Sequence, residues 1–109
     1  MNKSLKFRPH LVSFIRAGAK TTTFRLFDEK DIQRGDVVDL VEFGSLDTFA
    51  TAEITDVVEK KLGELTEEDK AGHEGFENDE QMYQTYSTYY NKPVTPDTIV
   101  KVIKFELRS

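Results

Sequence analysis

The stretch from Thr98 to Leu107 sets the strongest limit on how this chain can fold. Ile99, Ile103, Phe105 and Leu107 alternate there with Val100, Val102, Lys104 and Glu106, and a period of two belongs to a β-strand. Two helical segments separate it from the other strand-like stretches. It therefore has to pair with a strand laid down much earlier, which favours a curved sheet or barrel.

The earlier chain supplies the partners. Leu5-Lys6-Phe7 reads as a short edge strand. Pro9 suits the first turn of a helix, where a missing N–H costs nothing. Leu11, Phe14 and Ile15 then recur at helical spacing up to Gly18, which can end a helix in a left-handed conformation. The spacing predicts a helix over 9–17. From Thr21 the period changes to two, with Thr21, Thr23 and Arg25 on one face and Thr22, Phe24 and Leu26 on the other. Asp28 to Gln33 reads as a loop or single turn, and Arg34-Gly35-Asp36 as a turn into a strand from Val37 to Phe43. Gly44 to Asp47 connects a hairpin whose second strand runs from Phe49 to Val58. Thr66 is a good N-cap for a short helix with acids in its first turn. A longer helix starts near Asn78-Asp79-Glu80 and ends at Tyr90, before Asn91 and Pro93. Its stripe of Met82, Tyr83, Tyr86, Tyr89 and Tyr90 reads as core covering.

The expected fold is thus α+β: one domain over residues 1–109, with a curved, mixed β-barrel of about five or six strands and two or three short flanking helices. With 38% hydrophobic residues the core is modest, but eight phenylalanines and four tyrosines add buried area. No cysteine is present, which excludes disulfides, thiolate catalysis and Cys-type zinc sites and fits a cytoplasmic protein. No apolar run approaches a membrane span, and no signal-peptide pattern opens the sequence. The net charge is −5, with 20 acidic against 15 basic residues, so binding of long nucleic acid through phosphates is disfavoured. The basic residues are unevenly spread. Lys3, Lys6, Arg8, Arg16, Lys20 and Arg25 all precede the first acid, Asp28, which suits a basic pocket on an acidic body.

Candidate chemistry concentrates between Gly18 and Arg25. Thr23 would be a nucleophile only with a base beside it, and Lys20 would serve only from an irregular backbone, because strand parity puts it on the other face. Arg25 shares a face with Thr23 and suits a carbonyl, carboxylate or phosphate oxygen. The plain alternative is that Thr21 and Thr23 are ordinary strand residues and that Lys20 and Arg25 are solvated. Glu74 lies in the loop Gly72-His73-Glu74-Gly75, where a carboxylate between glycines can approach a ligand. His73 is a possible acid/base group. Two histidines without cysteine form no metal-ligand pattern, so neither a metal nor another cofactor is expected.

Four segments together carry a resemblance: Leu5-Lys6-Phe7-Arg8-Pro9-His10, Ala17 through Arg25, Arg34-Gly35-Asp36-Val37-Val38, and Val102-Ile103-Lys104-Phe105. In this combination the chain resembles the ASCH domain family of the PUA-like superfamily, small β-barrels with flanking helices. The resemblance implies a pocket for RNA or a small nucleoside ligand, lined by the Lys20–Thr23–Arg25 segment, with Arg25 assisting binding; Thr21 and His73 are further candidate ligand-binding residues. The chain is also similar to a branch of small amidohydrolases that deacetylate N4-acetylcytidine. Their catalytic lysine, threonine and glutamate correspond to Lys20, Thr23 and Glu74, with Leu65-Thr66-Glu67 as the segment before the glutamate. That likeness implies Thr23 as nucleophile, Lys20 as base and Glu74 as orienting carboxylate. A binding module and an amidohydrolase both remain open at this stage.

Overall fold

The structure is a computed structural model and describes residues 3–26, 31–71, 73, 76 and 78–108. Its elements, in order, are β1 (Lys3–Phe7), α1 (Pro9–Arg16), β2 (Thr22–Leu26), β3 (Val37–Glu42), β4 (Thr48–Lys61), a 3-10 turn (Leu62–Glu64), α2 (Glu67–Lys70), α3 (Asp79–Tyr90) and β5 (Ile99–Arg108). The five strands form one mixed sheet in the order β1-β3-β4-β5-β2. β1 runs parallel to β3, and the other neighbours are antiparallel. The sheet curls into a half-barrel flanked by the three helices, in agreement with the α+β, PUA-like expectation.

As its alternation requires, β5 pairs with earlier strands on both sides, β4 on one and β2 on the other. Its two faces serve two cores. Val100 and Val102 pack with Phe24, Leu26, Leu62, Met82 and Tyr86, under α3. Ile103 and Phe105 pack with Leu5, Phe7, Ile15, Leu40 and Ile54, against α1. Each such side chain contributes roughly 1.5–3 kcal/mol through burial.

β4 runs past the expected end at Val58. Glu59, Lys60 and Lys61 look like loop residues by composition, yet they continue the ladder opposite Lys101, Val100 and Ile99. Backbone pairing tolerates charge where one face meets solvent.

The caps follow the sequence closely. Asn91 ends α3 in the left-handed conformation (φ 53°, ψ 41°). At α2 the Thr66 hydroxyl accepts the Asp69 N–H at 3.2 Å, and the Asp69 carboxylate accepts the Thr66 N–H at 2.9 Å. Lys60 also meets Asp69, at 2.6 Å. Burial acts to raise the Asp69 pKa. The Lys60 ammonium and the Thr66 N–H and hydroxyl outweigh it and hold the carboxyl below the usual aspartate value. A depressed folded-state pKa stabilises above the unfolded value, and that stabilisation is lost as pH falls through the folded one. Urea melts of the wild type should therefore lose stability as pH drops below about 4. Asp69→Asn should cost about 1–2 kcal/mol near neutrality, by removing a charged hydrogen-bond acceptor and the ion pair with Lys60, and flatten that acid dependence. An unchanged acid limb in the variant would show that Asp69 does not produce it.

Candidate functional site

The sheet ends in two edge strands, β1 and β2, that face each other without pairing. Arg25, on β2, spans the seam: its Nη2 donates to the Lys6 carbonyl at 2.7 Å, and its guanidinium lies 4.8 Å from the centre of the Phe7 ring. A cavity of about 270 Å³ opens along this seam. It is near the small end of the range for ligand pockets, which suits one ring system with a substituent rather than a large ligand.

The turn after α1 carries Lys20 into the cavity. Gly18 has φ +80°, and its N–H donates to the Ile15 carbonyl while the Ala19 and Lys20 N–H groups both donate to Phe14. This Schellman-type ending satisfies the last carbonyls of α1 and reverses the chain. The backbone before β2 is therefore irregular, and it delivers Lys20 to the cavity occupied by Thr23. Lys20 is 3% and Thr23 4% exposed. The Lys20 Nζ donates to the Thr22 carbonyl at 2.9 Å.

One wall is aromatic. His73 stacks on Phe24 with ring centres 3.9 Å apart and 13° between planes. Its Nε2 is 3.2 Å from the Tyr86 hydroxyl. The Tyr90 hydroxyl accepts the Leu26 N–H at 3.2 Å. Thr22 fixes the approach of this loop to the sheet by donating its hydroxyl hydrogen to the Ala71 carbonyl at 2.6 Å. Charge at the cavity is one-sided: Lys6, Arg8, Lys20 and Arg25 line it, and among the described residues no aspartate or glutamate does.

With this geometry established, a family model of the ASCH domain matches residues 2–108. The chain belongs to the ASCH domain family. Its fold is similar to that of a protein from Enterococcus faecalis (18% identity, 98% of this chain and 80% of that one, TM-score 0.78). It is also similar to an ASCH domain from Lactobacillus crispatus (15% identity, 90% and 70% covered, TM-score 0.69). A third match is an ASCH protein from Zymomonas mobilis, in a Tyr-to-Phe mutant form (18% identity, 97% and 68% covered, TM-score 0.62). These identities establish a shared fold. Among curated proteins, none matches the sequence.

The ASCH domain brings Lys20, Thr23, Arg25 and His73 to one cavity. Thr21 lies elsewhere. It borders a separate depression with Gly18 and Phe105, and its carbonyl accepts the Phe105 N–H at 3.0 Å. That bond continues the β2–β5 register by one residue, so Thr21 keeps the strand parity of Thr23 but lies beyond the end of the cavity lining. Glu74 lies outside the described residues. Among the described residues there is no cluster of three or more histidines and acids that could hold a metal. No helix among them is long and apolar enough to cross a membrane.

The spacing of the α3 tyrosines marks them as core and does not show that they reach the cavity. Tyr86 is buried as a core residue, but Tyr86, Tyr89 and Tyr90 also line the cavity. Their hydroxyls were the available signal, since a buried tyrosine needs a polar partner at its tip. Arg8 belongs to the basic set expected at a pocket, whereas nothing local shows that β1 and its Phe7 face β2.

The turn at Gly18 is the feature on which the placement of Lys20 depends. An added Cβ meets nothing within 4 Å there, so only the left-handed backbone opposes substitution. Gly18→Val should cost about 1–2 kcal/mol, and Gly18→Asn clearly less, because asparagine tolerates that conformation. Urea melts check this; equal losses would show that backbone strain at Gly18 is not the controlling factor.

Proposed function

We propose that this ASCH domain recognises RNA or a modified nucleoside by taking a base into the seam cavity. One observation carries the reading: the cavity sets Lys20, Thr23 and Arg25 against the stacked Phe24–His73 pair and Tyr86. A planar heterocycle bearing carbonyl and amine edges fits such a slot. Aromatic faces attract its π-system, the Thr23 hydroxyl both donates and accepts, and Lys20 donates. Arg25 favours a phosphate or carbonyl oxygen at the same place. Membership of the ASCH domain family supports a general RNA- or nucleoside-related role. The net charge of −5 favours a small ligand or a short segment over a long polynucleotide.

A second reading draws support from the presence of Lys20 and Thr23 in the same cavity. In an amidohydrolase acting on an N-acylated cytosine nucleoside, the Thr23 hydroxyl oxygen attacks the acyl carbonyl while Lys20 takes the hydroxyl proton. The C–N bond breaks, the amine leaves with that proton, and water hydrolyses the acyl–threonine ester. The Glu74 carboxylate would orient the base in this scheme.

Calorimetry with ribonucleosides, ribonucleotides and N4-acetylcytidine tests the first reading, and product analysis of the acetylated nucleoside tests the second. Thr23→Val should weaken base binding about two- to tenfold, the range of one neutral hydrogen bond. If the chain also hydrolyses the acetylated nucleoside, Thr23→Val should abolish cytidine release. Absence of binding to every ribonucleoside and ribonucleotide would overturn the base-recognition reading. Turnover that survives in Thr23→Val would overturn the threonine mechanism.

A further inference from the structure

The mouth of the seam carries three side chains that the reading of the cavity does not use. Tyr89 and Phe43 are 45% and 54% exposed, which is high for large aromatic residues. Between them lies Arg8, its guanidinium 4.0 Å from the Tyr89 ring centre and 5.5 Å from that of Phe43. The fold builds this arrangement from three elements. Arg8 is the N-cap residue of α1, directly after β1. Phe43 is tied beside it because its N–H donates to the Phe7 carbonyl at 2.7 Å. Tyr89 sits on α3 one turn beyond Tyr86, whose ring is 6.1 Å away. An aromatic path therefore leads from the buried wall at Tyr86 to the outer rim at Tyr89, with a cation beside it.

We propose that this rim holds the nucleotide next to the one whose base enters the cavity, so that the site binds a two-base step of single-stranded RNA better than a free nucleoside. The inference rests on the base-in-cavity reading above. An exposed tyrosine or phenylalanine face stacks on any base without regard to its identity. A guanidinium held against a ring carries five N–H donors in one plane, and a phosphate can accept two of them at once. Lys6 and Arg25 add positive charge along the same cavity. The phosphodiester joining the two nucleotides is the anion that this cluster fits. The chain as a whole is acidic, with a net charge of −5 despite the cations gathered here. Affinity should then level off after the second or third nucleotide.

Calorimetry can compare each ribonucleoside with the ribodinucleotides that contain it, with a ribotrinucleotide and with a hexaribonucleotide. In the wild type the best dinucleotide should bind at least about fivefold tighter than its parent nucleoside, the lower range for one stacked base. The hexamer should bind no more than about twofold tighter than a trinucleotide. The logarithm of the dinucleotide binding constant should fall with the logarithm of salt concentration with a slope near −0.7, as for one phosphate. In Tyr89→Ala and in Arg8→Gln the ratio of dinucleotide to nucleoside affinity should approach one. Tyr89→Trp should preserve it. A wild-type ratio near one, with the nucleoside still binding, overturns the rim proposal and leaves the cavity reading intact. Failure of all nucleosides, dinucleotides and the hexamer to bind overturns both. Affinity that climbs steadily to the hexamer also overturns the two-base limit.

Discussion

Everything distinctive about this ASCH domain follows from a sheet that curls without closing. In a closed barrel β1 and β2 would hydrogen-bond along their length, and the space between them would vanish. Here one side chain spans the gap, with Arg25 donating to the Lys6 carbonyl. Exposed strand edges invite unwanted pairing. Both edges here are only five residues long, and side chains from α1, α3 and the α2–α3 loop stand around the opening between them. The same gap that the fold must protect is the cavity in which its polar and aromatic residues meet.

The candidate site is packed against both cores. Phe24 belongs to the core beneath α3, and its ring carries His73. Phe7 belongs to the core beneath α1, and its ring carries the Arg25 guanidinium. Each core thus lends one phenylalanine to hold one polar group in place. Binding groups fixed by packing lose little freedom when a ligand arrives. The cations have another consequence. Four of them line one small cavity on a chain of net negative charge, so positive charge is concentrated there among the described residues.

Much of this was legible in the sequence, and the misses have physical causes. The alternation of Val100 and Val102 against Ile103 and Phe105 announced a strand with two useful faces, and both faces are buried. Thr66, Asn91 and Gly18 announced helix ends because capping and left-handed residues act locally. Lys20 and Thr23 could be suspected of meeting, since Gly18 permits the irregular turn that joins them. Strand parity groups Thr21 with Thr23, but parity sets only the face, and Thr21 borders a different depression along the same strand. The tyrosines of α3 have the spacing of a core stripe and do pack as one. Their second role depends on which strands lie opposite, and local spacing holds no record of that. The meeting of Arg8 with Phe43 is hidden for the same reason: 35 positions separate them in the sequence, and the parallel pairing of β1 with β3 unites them.

The central claim is that a base enters between the two edge strands. The most direct measurement is a titration of the ¹⁵N-labelled chain with cytidine monophosphate, followed by the amide resonances. The account predicts saturable shifts at Phe7, Arg8, Thr23, Phe24, Arg25 and His73, on both sides of the seam, with the hairpin at Ser45 and Asp47 and the outer residues Glu53 and Glu106 unmoved. Saturable shifts confined to that hairpin or to Glu53 and Glu106, with the seam silent, would contradict it.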